Sequence, residues 1–152
     1  MGNHATLAPS AAGEWIYCPG SVQLQAQVPD EAGHHAALGT AAHELAETAL
    51  REGRQTAEYQ GMRFNTDYDG VGFEADEEMC RQVQKYVDAV RGYAEHGYLY
   101  IEQQVDISTY VPHCWGTVDA VIIGDDGELI IVDLKYGMRQ VEAEDNEQLR
   151  LY

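Results

Sequence analysis

Two carboxylates and a lysine lie within or next to runs of apolar residues in the C-terminal half of this 152-residue chain. Asp119 ends the segment 116–119, and Asp133 and Lys135 lie within the segment 131–137. Asp133 and Lys135 are two residues apart, so on a strand their side chains point to the same face. Charged groups in an apolar strand are costly to bury unless they are paired or bind a metal ion. This conflict predicts a functional site at the three residues.

A turn signal between the two segments brings these residues together. The sequence Gly-Asp-Asp-Gly at residues 124–127 separates two β-rich runs and predicts a hairpin. Asp119 then lies opposite residues 131–133, and the carboxylates of Asp119 and Asp133 are about 5–8 Å apart if they share a face. One divalent cation can bridge them, and oxygen ligands favour Mg²⁺ or Mn²⁺. The alternative is a buried ion pair between Asp133 and Lys135 on an edge strand.

Four motifs, taken together, resemble those of one nuclease superfamily. Asp119 followed by Asp133-Leu134-Lys135 resembles the metal motif of the PD-(D/E)XK nucleases. Three further motifs are similar to the RecB-type branch: a helix motif with His43 at residues 39–47, a trailing Gln-x-x-x-Tyr formed by Gln148 and Tyr152, and a Cys-Pro segment at residues 15–21. In detail the chain resembles a phage-encoded family of RecB-type proteins, most of which lack a characterised function. The resemblance spans nearly the whole chain.

The resemblance implies a set of site residues. The implied ligands of Mg²⁺ or Mn²⁺ are His43, Asp119, Asp133 and the backbone carbonyl of Leu134. Lys135 would orient the attacking water. Gln148 and Tyr152 would brace the substrate strand or the lysine.

The resemblance also implies an activity and a fold. The activity is a metal-dependent deoxyribonuclease acting on DNA ends or single strands in phage recombination or replication. Its place would be the cytoplasm of a phage-infected or prophage-carrying bacterium. The fold is α/β, with a central mixed sheet flanked by helices in a restriction-endonuclease-like core. A further strand and helices would follow Tyr152, so a C-terminally shortened core is expected.

Hydrophobic periodicity predicts the elements that position the site. Helices are expected at residues 40–52, 75–96 and 145–152, and a first strand at 98–107. Thr40 is the expected N-cap of the first helix, and Gly53 its C-terminal stop. Residues 54–72 are expected to form a long surface loop or a small excursion. A single domain is predicted, with an N-terminal arm at 1–36 and a core at 37–152.

Three further residues have more than one interpretation. Glu47 follows His43 by four residues and could hold the imidazole or be solvated. Glu102 has the chemistry for a metal contact, but the alternation of residues 98–107 predicts an exposed strand-face carboxylate. Cys18 is expected to be a buried structural thiol.

Charge and composition bear on the partners. The chain has 9 Lys and Arg against 26 Asp and Glu, a net charge of −17, whereas a nucleic-acid binder is expected to carry a basic patch. Weak DNA binding by the monomer is therefore expected, or association with itself or a protein partner through residues 140–152. Three widely spaced cysteines fit a reducing cytoplasm, and no apolar run is long enough for a membrane span.

Two other functions remain open at this stage. One is a catalytically inactive interaction module on the same core, which binds a protein partner through its acidic surface. The other is a metal-dependent hydrolase of a phosphate ester that is not a nucleic acid.

Overall fold

The computed structural model describes residues 5–28, 33–137, 141–142 and 144–152. It contains helices and two small antiparallel sheets, which is a mixed α/β architecture. The elements in chain order are α1 (Ala12–Trp15), α2 (Gly20–Gln25), α3 (His34–Glu52), β1 (Arg63–Phe64), β2 (Phe73–Glu74), α4 (Glu77–Tyr93), β3 (Gly97–Asp106), β4 (Trp115–Gly124), β5 (Leu129–Val132) and α5 (Glu147–Leu151). No helix in these residues is long and apolar enough to cross a membrane. The predicted association segment 140–152 includes residues 140 and 143, which lie outside the described residues.

Helix α3, which carries His43, begins six residues earlier than predicted. Thr40 is not its N-cap, because its hydroxyl lies inside the helix and donates to the carbonyl of Ala36 at 3.2 Å. The predicted end is confirmed, since Gly53 follows the helix with a φ of 68°. Glycine adopts this left-handed conformation without the steric cost that a Cβ would impose.

Helix α4 packs against α3 and completes one wall of the core. Its N-terminus is capped by Asp76, whose side chain accepts a hydrogen bond from the backbone N–H of Met79 at 2.7 Å. The predicted helix at 75–96 is therefore confirmed in its middle, while Ala94–His96 form a 3₁₀ turn. The preceding segment 54–72 is more ordered than a plain loop. It holds a 3₁₀ turn at Thr56–Tyr59 and strand β1, which pairs with β2.

Strands β3, β4 and β5 form an antiparallel sheet in that order. The predicted hairpin is confirmed, because β4 and β5 pair with Ala120 opposite Val132. One further step in this register puts Asp119 opposite Asp133, as the sequence predicted. The expected mixed sheet is not found among the described residues, whose strand pairings are all antiparallel. A parallel pair needs a crossover of about a dozen residues or more, and these three strands are joined by shorter connections.

The two faces of this sheet have different neighbours. One face carries Val118, Ala120 and Ile122, which are fully buried. Ala120 and Ile122 belong to the core that includes α3 and α4. Gly116 shares this parity, and at its end of β4 the same face meets the N-terminal arm and Tyr152. Asp119 has the parity of the opposite face, but its carboxylate contacts His43 of α3, at the point where one ladder pair between β3 and β4 is missing.

The described part of the N-terminal arm folds into short helices. Its 3₁₀ turn at Pro9–Ala11 contacts β4 and α5, so the arm closes one side of the sheet. Cys18 lies between α1 and α2 and is exposed, so the prediction of a buried thiol is wrong. The reason is local: α2 has no buried residue, and the arm offers no interior at this point.

Candidate functional site

An open cleft of about 390 Å³ brings together the six side chains to which the resemblance assigns a role in the site. Its floor and walls include His43 from α3, Asp119 from β4, Asp133 and Lys135 after β5, and Gln148 and Tyr152 from the C-terminal segment. Leu134 lies beneath the cleft and is buried in the core. We call this feature the carboxylate cleft. These residues lie up to 109 positions apart in the chain, between His43 and Tyr152, so only the fold can place them together.

Asp119 is held at both of its oxygens. Its Oδ1 lies 3.2 Å from Nδ1 of His43, and its Oδ2 accepts the backbone N–H of Leu134 at 2.6 Å. Only 9% of Asp119 is exposed. The carboxylate is therefore fixed in orientation before any ligand arrives, which is the preorganisation that a binding site requires.

Asp133 is also held on both sides. Its Oδ2 forms an ion pair with Nζ of Lys135 at 2.5 Å, and its Oδ1 accepts a hydrogen bond from the Gln148 amide at 2.8 Å. Burial raises the pKa of Asp133 above its usual 3.8, and the hydrogen bond from Lys135 offsets this only in part. The ion pair considered from the sequence is present. Each oxygen of Asp133 therefore keeps a second lone pair, but a cation there would compete with the positive charge of Lys135.

Glu102, not Asp133, completes a group of three possible ligands beside the carboxylate cleft, where it lines a smaller cavity with His43 and Asp119. Its carboxylate, the His43 imidazole and the Asp119 carboxylate each offer one ligand atom, and these atoms lie within 4.8 Å of one another. In octahedral coordination at about 2.1 Å, opposite ligands are about 4.2 Å apart, so a small inward shift would suffice. Imidazole nitrogen and carboxylate oxygen are suitable donors for Mn²⁺ and, through the carboxylates, for Mg²⁺.

The prediction of an exposed strand-face carboxylate at Glu102 is therefore wrong. The residue has a φ of 53°, and it forms no ladder pair with Asp119, although the pairs on either side are regular. A left-handed residue inside a strand is strained, and such strain clusters at functional sites. Burial raises the pKa of Glu102, and the charge of Asp119 raises it further.

The electrostatics of the cleft favour a cation. Burial lowers the pKa of His43, but the hydrogen bond and charge of Asp119 raise it by more, so the net pKa lies above 6.5. The pKa values of Glu102 and Asp133 are raised because the negative charges of their carboxylates are poorly solvated. A bound proton or a metal ion would relieve this cost.

Tyr86 of α4 borders the site, although none of the four motifs includes it. It is 9% exposed, and its hydroxyl finds no hydrogen-bond partner among the residues that the structure describes. It shares a small cavity with His43, Glu102 and Asp119. An orphaned buried hydroxyl is costly unless it has a partner. A water or ligand at the cleft would supply that partner.

The C-terminal motif has a structural role in this arrangement. Asn146 caps α5 through a 3.1 Å hydrogen bond from the backbone N–H of Leu149, which presents Gln148 to Asp133. The Tyr152 hydroxyl donates to the carbonyl of Thr117 at 3.2 Å, and burial raises the pKa of Tyr152 to about 12. Gln148 thus braces Asp133, not Lys135 directly. Glu47 pairs with Arg51 at 2.8 Å, so its contact is with the helix surface.

One comparison with known proteins identifies a family. The family model described as "Protein of unknown function (DUF2800)" matches residues 4–152, so the chain belongs to this family. No solved structure matches the chain.

Proposed function

We propose that the chain is a metal-dependent deoxyribonuclease whose ion is held by His43, Glu102 and Asp119. The observation that carries the proposal is the convergence of these three ligand groups within 4.8 Å, where His43 and Asp119 also line the cleft that holds Asp133 and Lys135. A group made only of acidic side chains would be weaker evidence for a metal site. Here an imidazole, a fixed carboxylate and a strained glutamate meet beside a lysine.

The proposed chemistry divides the work among these residues. When bound, a divalent cation lowers the pKa of a water molecule and polarises a phosphoryl oxygen. Asp119 keeps one fixed orientation through the N–H of Leu134, and Lys135 is tethered to Asp133 while its side chain is still 42% exposed. The amine can therefore reach a phosphate in the cleft, where its charge would offset the charge that develops during attack.

DNA as the substrate rests on the resemblance of the motifs to RecB-type nucleases. The net charge of −17 limits contacts to the phosphate backbone. Single strands or ends, which reach a recessed site more easily than an intact duplex, are the substrates we propose. Binding by the chain alone should be weak and strongly dependent on salt.

A second candidate function is a non-catalytic interaction module. The observation in its favour is that Lys135 and Gln148 already satisfy both oxygens of Asp133. In that case the lysine would neutralise a buried charge and would have no catalytic role.

A cleavage assay separates the two functions. The protein should degrade DNA with Mg²⁺ or Mn²⁺ and stop when a chelator is added. Lys135→Ala and Asp119→Asn should each lower the rate by about 10²-fold or more. The matched controls are Lys85→Ala on α4 and Asp125→Asn in the β4–β5 turn, both exposed and outside the cleft. Cleavage without metal, or full activity of Lys135→Ala, would reject the nuclease.

A further inference from the structure

The β3–β4–β5 sheet leaves an apolar surface open beyond the carboxylate cleft. The register aligns Tyr98 with Ile123 and Leu129, and Tyr100 with Val121 and Ile131. By strand parity these side chains lie on one face, which we call the open sheet face. Tyr98 is 68% exposed, Leu129 58%, Tyr100 44% and Ile123 40%.

This exposure is unusual for so many neighbouring apolar side chains. Val121 and Ile131, in the middle of the group, are only partly exposed and do not pack against the main core. The opposite face of the same strands is fully covered by α3 and α4. Contiguous apolar patches bounded by polar groups mark interaction sites, whereas single exposed apolar residues do not.

Within the described strands and their turns, the charged residues that adjoin the open sheet face are acidic. Asp125, Asp126 and Glu128 lie in the turn that joins Ile123 to Leu129, and Glu95 lies two residues before β3. The chain has no lysine or arginine from residue 92 to residue 134. The basic residues that bracket this stretch are engaged elsewhere: Arg91 donates to the carbonyls of Ala49 and Arg54, and Lys135 pairs with Asp133.

We propose that the open sheet face binds a basic amphipathic segment of another protein. The apolar side chains would receive an apolar stripe, and the acidic border would meet lysines or arginines beside it. A second copy of this chain is a poor occupant, because it would bring the same acidic border and a net charge of −17 to the contact. This inference does not depend on the proposed nuclease activity.

The test uses three fluorescent 18-residue peptides and fluorescence anisotropy. The first contains leucine and lysine with helical periodicity, the second has the same composition in scrambled order, and the third replaces each lysine by glutamate. The whole chain should bind the periodic leucine–lysine peptide at least about tenfold more tightly than the other two, and added salt should weaken the binding.

Surface variants localise the binding. Tyr98→Ser combined with Leu129→Ser should weaken it by about tenfold or more, because two contact side chains are lost. Asp125→Asn combined with Glu128→Gln removes charge only, and should weaken binding mainly at low salt. The matched control is Val28→Ser combined with Tyr110→Ser, which truncates side chains that are 66% and 85% exposed and lie outside the sheet. The control should bind as the native chain does.

Four results would overturn the proposal. The first is that the periodic peptide does not bind, and the second is that the scrambled peptide binds equally well. The third is that the variant with Tyr98→Ser and Leu129→Ser keeps the native affinity. The fourth is that the native chain dimerises in the absence of peptide and that this variant does not. The last result, measured by light scattering over a concentration series, would assign the face to a second copy.

Discussion

Glu102→Gln is the substitution that best distinguishes the structural site from the one expected from sequence. Glutamine keeps the shape of the side chain and removes its charge. Because burial and the charge of Asp119 raise the pKa of Glu102, the carboxylate is poorly solvated without a cation. The metal-free variant should therefore be at least as stable as the native chain at neutral pH, and its affinity for Mn²⁺ should be lower.

The size of the effect follows from linkage. Loss of an outer group at a metal site costs about 10–100-fold in affinity, and loss of a ligand should cost at least as much. At a Mn²⁺ concentration of about 100 times the native Kd, binding stabilises the native chain by about 2.7 kcal/mol. For a chain of this size that raises Tm by about 5–11 °C. For the variant the same concentration gives about 0.4–1.4 kcal/mol, or a rise of about 1–6 °C.

The assay is thermal unfolding with and without Mn²⁺, paired with calorimetric titration of the ion. Glu128→Gln is the matched control, because Glu128 is exposed in the β4–β5 turn. A Glu102→Gln variant with the native Mn²⁺ response would refute the role of Glu102. If Asp133→Asn removed the response while Glu102→Gln did not, the ion would belong to the ligand set that the motifs implied.

Two other predictions concern pH and the packing behind the cleft. The pKa of His43 is raised in the folded chain, so its pair with Asp119 contributes stability below about pH 6.5 that is lost as pH rises through the folded pKa. A metal ion competes with this proton, so Mn²⁺ affinity should increase between about pH 6 and about pH 8, by up to about tenfold per pH unit. Calorimetry in buffers of different ionisation enthalpy would measure the released proton, and an affinity independent of pH would contradict the role of His43. Gly116→Ala should destabilise the fold by about 1–3 kcal/mol in urea unfolding, because its Cβ would lie 2.5 Å from the Tyr152 hydroxyl and 3.2 Å from Pro9. Adding Tyr152→Phe to the Gly116→Ala variant removes the hydroxyl and should recover part of the lost free energy of unfolding. Unchanged stability of Gly116→Ala alone would show that the contact is not tight.

Much of the site could be predicted because its signals are local. The Gly-Asp-Asp-Gly turn joins β4 to β5, and their last pair, Ala120 with Val132, leaves Asp119 and Asp133 as the next residues along the two segments. Gly53 ends α3 because glycine readily adopts the left-handed backbone conformation found there, and a glycine can be read directly from the sequence. The motif residues His43, Lys135, Gln148 and Tyr152 then reach one cleft, as the resemblance implied. The nuclease activity itself stays a prediction.

The errors arise where tertiary packing overrides a local pattern. Thr40 has the chemistry of an N-cap, but an alanine-rich turn continues the helix back to His34 through Gly39. Glu102 obeys strict alternation in sequence, and nothing in the alternation signals its left-handed backbone. Helical spacing of apolar residues likewise cannot predict that the buried hydroxyl of Tyr86 has no hydrogen-bond partner among the described residues.

The central claim is that His43, Glu102 and Asp119 form a divalent metal centre. Crystals grown with Mn²⁺ and measured at a wavelength that gives an anomalous signal from manganese would test it most directly. We expect an anomalous peak about 2–2.4 Å from the carboxylate oxygens of Glu102 and Asp119, with His43 as a nitrogen ligand. A cleft without a peak at saturating Mn²⁺, with the ion bound only at carboxylates elsewhere on the surface, would contradict it.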